Sequence, residues 1–213
     1  MRLRKVAGAL DDLCKNKKYF IENPKDNKGR WKDVFGNNNP IHIEIGCGKG
    51  DFAIGMAKAF PDINFIAIEK FESVLIRASE KTLACDLPNL KLVHYDAIVL
   101  GEIFENGEID NIYLNFSDPW PKNRHAKRRL TSPEFLNVYK NILNPNGAIM
   151  QKTDNVILYQ YSIESLSQDG WYLSNISVDL HKEERFNIMT EYETKKCKLG
   201  PIYRLEARRY KNN

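Results

Sequence analysis

The sequence predicts an α/β protein built on a doubly wound, mostly parallel sheet of seven strands, with the last strand antiparallel. Three observations predict it. From residue 41 onward, short apolar runs of strand character alternate with helical segments, the pattern of parallel strands joined by crossovers. The first strand runs into a glycine-rich turn that opens a helix. The last two strands have no helix between them, so the final one inserts in the opposite direction.

The elements follow in order. Residues 1–40 read as a basic arm, broken by Pro24, Gly29 and Pro40 and closed by the turn GNNNP, ahead of a single domain over 41–213. Ile41 to Ile45 is a strand and 51–59 a helix; Asn64 to Glu69 is the second strand and 72–86 a helix. Leu90 to Tyr95 and Asp110 to Asn115 are the third and fourth strands. Pro133 suits the first turn of the helix that runs to Leu143, because its missing N–H is not needed there. Gly147 to Lys152, a helix over 155–168, Trp171 to Val178 and Pro201 to Arg208 complete the pattern.

Composition narrows the class. The chain has 213 residues, 42% apolar and 28% charged, which suits a folded domain rather than a disordered or membrane protein. No apolar run approaches the roughly 18 residues of a membrane span, and Val6 to Leu10 is too short for a signal peptide. Cys14, Cys47, Cys85 and Cys197 are scattered, with no CxxC pair and no Cys/His cluster. A reduced, cytoplasmic, metal-free protein follows. The net charge is only +4, so the placement of the basic residues matters more than their sum.

In a doubly wound sheet, ligands bind beyond the C-terminal ends of the strands. Gly46, Gly48 and Gly50 form a turn there that lets backbone approach a ligand and aims free N–H groups at it. Glu69 ends the second strand, where a carboxylate can accept both hydroxyls of a ribose. Asp96 follows the third strand, within reach of an adenine amino group. Glu44, flanked by isoleucines on a central strand, is costly to bury without a partner. Position 51, where a dinucleotide site prefers glycine, holds an aspartate that repels pyrophosphate. A ligand with ribose and adenine but no phosphate fits better, and S-adenosylmethionine is such a molecule, with Glu44 facing its cationic end.

The fourth strand ends in NFSDPWPKNRHAKRRL, residues 115–130. Asp118-Pro119 followed by an aromatic resembles the tetrapeptide with which amino-methyltransferases hold a planar nitrogen nucleophile. Trp120 is a stacking candidate or a partly buried packing residue. The basic run from Lys122 to Arg129 has no acidic residue interleaved, which points to a polyanion without separating RNA from DNA.

IEIGCGKG, the Glu69 and Asp96 strand ends, the 115–130 segment, KTDN at 152–155 and NIMTEYE at 187–193 together resemble the bacterial tRNA (guanine-N7-)-methyltransferase family. The resemblance runs from about residue 30 to the last strand. It implies a Rossmann-like methyltransferase sheet and transfer of a methyl group from S-adenosylmethionine to N7 of guanine 46 in the tRNA variable loop. It carries Glu44, Glu69, Asp96 and Asp118 over as cofactor contacts, with Asp118 also catalytic. It carries Lys122, Asp154 and Thr190, Glu191, Tyr192 and Glu193 over as substrate contacts. Arg124, His125, Ala126, Lys127, Arg128 and Arg129 become the RNA-interacting loop. Read without the resemblance, Thr190 to Glu193 is the capping box of a short helix, and Asp154 the cap of the helix at 155. By themselves His42 and His125 are left unassigned, with a structural histidine as the default for each, and the chain is expected to be a monomer or homodimer.

Overall fold

The computed structural model describes residues 6–210; residues 1–5 of the arm and 211–213 of the predicted domain lie outside it. The strands are β1 (Phe20–Ile21), β2 (Ile41–Ile45), β3 (Asn64–Glu69), β4 (Leu90–His94), β5 (Ile109–Asn115), β6 (Leu143–Thr153), β7 (Trp171–Ser177) and β8 (Tyr203–Arg209). The helices are α1 (Ala9–Lys15), α2 (Trp31–Phe35), α3 (Asp51–Ala59), α4 (Glu72–Thr82), α5 (Pro133–Ile142), α6 (Val156–Gln168) and α7 (Glu191–Lys196). The strands form one sheet in the order β1-β4-β3-β2-β5-β6-β8-β7. β1 to β6 pair in parallel, and β8 lies antiparallel between β6 and β7.

The doubly wound reading therefore holds, with eight strands among the described residues instead of seven. The last strand is antiparallel as expected, although the short helix α7 does lie between β7 and β8. Alternate residues of β3 show why both faces are apolar. Ile66 and Ile68 join a core with Trp31, Leu136, Tyr139 and Leu166, whereas Phe65 and Ala67 join a second core with Leu13, Phe52, Met56 and Leu75. Thus α2, α5 and α6 cover one face, and α1, α3 and α4 the other. A strand buried on both sides cannot alternate apolar with polar residues, which explains runs such as NFIAIE.

The additional strand comes from the segment expected to be an irregular arm. β1 extends the sheet beyond β4, with Phe20 opposite Leu92. Asn16 ties α1 to α4 by donating to Ser79 Oγ at 2.8 Å and Thr82 Oγ1 at 3.1 Å. Trp31 is fully buried and donates from Nε1 to the Ile103 carbonyl at 2.7 Å. Its anchors, Leu13, Tyr19, Phe20 and Trp31, are too sparse for a helical or strand period among basic and polar neighbours. Only their distant partners reveal the packing.

Candidate active site

β2 and β5 end side by side at the centre of the sheet, and the chain departs from them in opposite directions to leave a cleft. A cavity of about 330 Å³ occupies it, lined by Glu44, the glycine turn, Asn115 and Phe116, and by Thr190, Glu191, Tyr192 and Lys195 of α7 and its cap. That volume lies within the usual range of about 300–1,000 Å³ for small-molecule sites.

The glycine turn is shaped as expected, with positive φ at Gly46, Gly48 and Gly50. At Gly50 a side chain is excluded twice over, by φ +78° and because a Cβ would lie 2.8 Å from the Ala78 methyl. The expectation of free N–H groups in the turn needs correction. Gly46 and Cys47 both donate to the Ile68 carbonyl, Gly48 donates to Glu69 Oε2 at 3.1 Å, and Gly50 donates to the Cys47 carbonyl. The turn serves by close approach, and its own contacts hold it rigid. Asp51 pairs with Lys81 at 2.6 Å.

Glu44 is the most unusual group in the cavity. It is 4% exposed; Oε1 accepts from Asn115 Nδ2 at 2.9 Å, while Oε2 is buried without a partner among the described residues. The amide of Ala53, in the first turn of α3, faces the carboxyl without completing a hydrogen bond. Burial pushes Glu44 up to about 8, only partly opposed by Asn115 and the Lys152 ammonium. A buried oxygen with no donor at the wall of a cavity calls for a cationic or N–H-bearing ligand.

Glu69 and Asp96 do not line this cavity. Glu69 lies behind the turn, accepting from Gly48 and from Phe71 N at 3.1 Å, and burial raises its carboxyl. Asp96 pairs with Lys70 and caps the turn that follows β4, accepting from Ile98 N at 3.3 Å. Asp118 is exposed, just beyond Phe116. It lies on a loop whose Phe116 and Trp120 have φ of +52° and +42°. Such conformations cost on the order of 1–3 kcal/mol each and persist only where the surroundings impose them.

The basic run forms a short 3₁₀ turn, Asn123–Arg128. Lys122, Arg124, Lys127 and Arg128 are exposed, while His125 and Ala126 are half-buried. The Arg128 guanidinium lies 4.8 Å from the Trp120 ring centre, and His125 meets the same ring edge-on at 5.7 Å. Trp120 is thus packed within its own loop. Arg129 does not project with the others. It is 5% exposed and donates to the carbonyls of Pro119 and Trp120, both at 3.0 Å.

Thr190 Oγ1 accepts from Glu193 N at 2.9 Å, so Thr190 to Glu193 does start a helix as a capping box predicts. Glu193 is fully buried: Oε2 accepts from Lys152 at 2.6 Å, and Oε1 takes Asn187 at 2.6 Å and His181 at 3.0 Å. Glu191 bridges the cavity mouth to Lys49 at 2.9 Å and also binds Lys195, which together hold its carboxyl down at about 2. The cap of α6 is Asn155, accepting from Leu158 N at 2.8 Å, which leaves Asp154 free of that duty. Asp154 instead accepts from the Tyr192 hydroxyl at 3.1 Å. His42, held between Asn111 and Tyr113 and pushed down to about 4 by burial, is structural. Sequence reasoning missed Asn115 and Lys49 as parts of the cavity wall; the sole signal was a polar residue at a strand end and a lysine inside the glycine turn.

The sheet with its cleft at the switch point is the fold of the methyltransferases that use S-adenosylmethionine as methyl donor, and the sequence matches place the chain among them. Residues 38–205 match the family model described as "Putative methyltransferase". The chain is 55% identical over 210 residues, 98% of each chain, to a tRNA (guanine-N(7)-)-methyltransferase of Listeria welshimeri. It is 52% identical over 212 residues, again 98% of both, to that of Lactococcus lactis. Among solved structures, the 16S rRNA methyltransferase KamB shares the fold at a TM-score of 0.64 and 14% identity, covering 84% of this chain and 92% of its own. The chain belongs to the tRNA (guanine-N(7)-)-methyltransferase family.

Proposed function

We propose that the protein methylates N7 of guanine 46 in the variable loop of cytoplasmic tRNA. One observation carries the geometry. The residues from Asn115 to Arg128 run without a break from the wall of the Glu44 cavity, through Asp118, to an exposed basic turn. Methyl donor and polyanion therefore meet on one segment of chain. The relatives' names supply the base and the atom.

When bound, S-adenosylmethionine supplies an electrophilic methyl group on a sulfonium that leaves as a neutral thioether. Guanine N7 has an in-plane lone pair and no proton, so the bond to the methyl carbon forms as the carbon–sulfur bond breaks, with no base needed beforehand. The main requirement is alignment. Positive charge passes to the purine, and the Asp118 carboxylate offsets it and orients the ring. With N7 facing the methyl group, the N1–H and N2 amino donors of the guanine face away and match one carboxylate. Asp154 takes that role: both oxygens of Glu193 are enclosed and Glu191 is bound by two lysines at 2.6 and 2.9 Å, whereas Asp154 meets the Tyr192 hydroxyl and, only at 3.8 Å, Lys196. Lys122, Arg124, Lys127 and Arg128 hold tRNA phosphates. The test is transfer of labelled methyl to an unmodified tRNA transcript, with its G46A variant and duplex DNA as controls. Label on guanine N7 of the first alone supports the reading; equal label on the variant or on DNA refutes it.

A further inference from the structure

The run of basic residues after Trp120 divides within one step of the chain. Arg128 lies on the surface, whereas Arg129 turns back under the loop that holds Asp118. Its guanidinium spans two successive carbonyls, Nε to Pro119 and a terminal nitrogen to Trp120, each at 3.0 Å. Its outer face lies 4.3 Å from the ring centre of Tyr161 on α6. These contacts enclose the residue, and no phosphate can reach a side chain so placed.

We propose that Arg129 is a positioning residue for methyl transfer and not a contact to the nucleic acid. Phe116 and Trp120, the two residues with left-handed backbone conformation in this loop, bracket Asp118. A loop bent in this way at two side-chain-bearing residues relaxes unless something outside holds it. Arg129 holds it at the carbonyls just past Asp118, and the stacking on Tyr161 ties that hold to a helix of the sheet layer. A planar fork is needed, because a lysine ammonium cannot bind two carbonyls in one plane and stack at once. The inference rests on the proposed guanine-N7 reaction for its kinetic consequence but not for its structural one.

The test uses the full chain with Arg129→Lys, which keeps charge and length, and Arg129→Gln. Lys127→Gln is the phosphate-contact comparator. Trp31 and Trp171 are 0% and 2% exposed and Trp120 is half-buried, so acrylamide quenching of tryptophan fluorescence reports on the loop. For Arg129→Lys we expect stronger quenching in the free protein and a kcat at least about tenfold lower, as loss of alignment requires. KM for tRNA and the salt dependence of tRNA binding stay as in the unaltered protein. Lys127→Gln lowers the salt slope by about one and leaves quenching unchanged. Arg129→Lys with unaltered quenching and kcat overturns the proposal. So does an Arg129→Lys salt slope lowered as in Lys127→Gln. Should the unaltered protein methylate no tRNA guanine, the reaction reading fails by itself, and quenching alone then decides whether Arg129 holds the loop.

Discussion

Replacing Glu44 by glutamine tests the most consequential feature of the cavity. Burial lifts this carboxyl from 4.5 to about 8. Each pKa unit corresponds to about 1.4 kcal/mol, so ionising Glu44 in the free protein opposes folding by up to roughly 5 kcal/mol. The sign follows from the direction of the shift. A folded-state pKa above the unfolded one gives stability that is complete below about 4.5 and is lost as pH rises through about 8. Glutamine does not titrate and is spared that loss. The melting temperature of Glu44→Gln minus that of the unaltered protein should therefore climb between pH 5 and pH 9. If only half of the limit is realised, the climb is about 5–10 °C for a chain of this size. Any constant cost from the amide N–H₂ beside the former Oε2 position cancels in this difference. Ligand binding should show the converse. Ionised Glu44 opposite a cationic ligand releases up to one proton at pH 7, visible in calorimetry as a heat that depends on the buffer. Glu44→Gln should lose that proton release and bind S-adenosylmethionine about tenfold or more weakly. A melting difference that stays flat across this pH range, together with buffer-independent heat, would refute the reasoning.

Three further outcomes follow from the site. Asp118→Ala should fold normally yet lose on the order of 10²-fold in kcat, the scale of removing one group that stabilises developing charge; a folded variant with full turnover overturns the role. Neutralising Lys127 and Arg128 together should weaken tRNA binding and lower its salt slope by one to two, about one per contact, read by filter binding across a salt series. An unchanged slope removes this turn from the phosphate contacts. Glu193→Gln leaves the Lys152 ammonium buried without its 2.6 Å counter-charge. It should cost about 3–5 kcal/mol of stability, and adding Lys152→Met should recover most of it. Equal melting temperatures for all three proteins would contradict this.

What the sequence by itself determined is what neighbouring residues decide among themselves. Alternating strands and helices, the glycine turn at 46, 48 and 50 and the capping box at Thr190 were readable, because each depends on local period or turn chemistry. The antiparallel last strand was expected for want of a helix before it, yet α7 lies between β7 and β8, and pairing with β6 and β7 sets its direction. The suspicion of Glu44 was readable too, since a carboxylate among isoleucines on a central strand is anomalous wherever it folds. Its outcome was not. The single bond from Asn115, and the second oxygen left bare, depend on a residue 71 positions away. The same holds for Lys49 and Glu191, 142 positions apart and closed across the cavity mouth. It holds also for Trp31 and β1, whose anchors are sparse in sequence and buried only against β4 and its neighbours. Arg128 and Arg129 mark the boundary most sharply. In sequence they are two members of one basic run. Tertiary packing sends one to the solvent face and the other under the loop, because only at position 129 do two carbonyls and an aromatic ring lie within reach of a guanidinium.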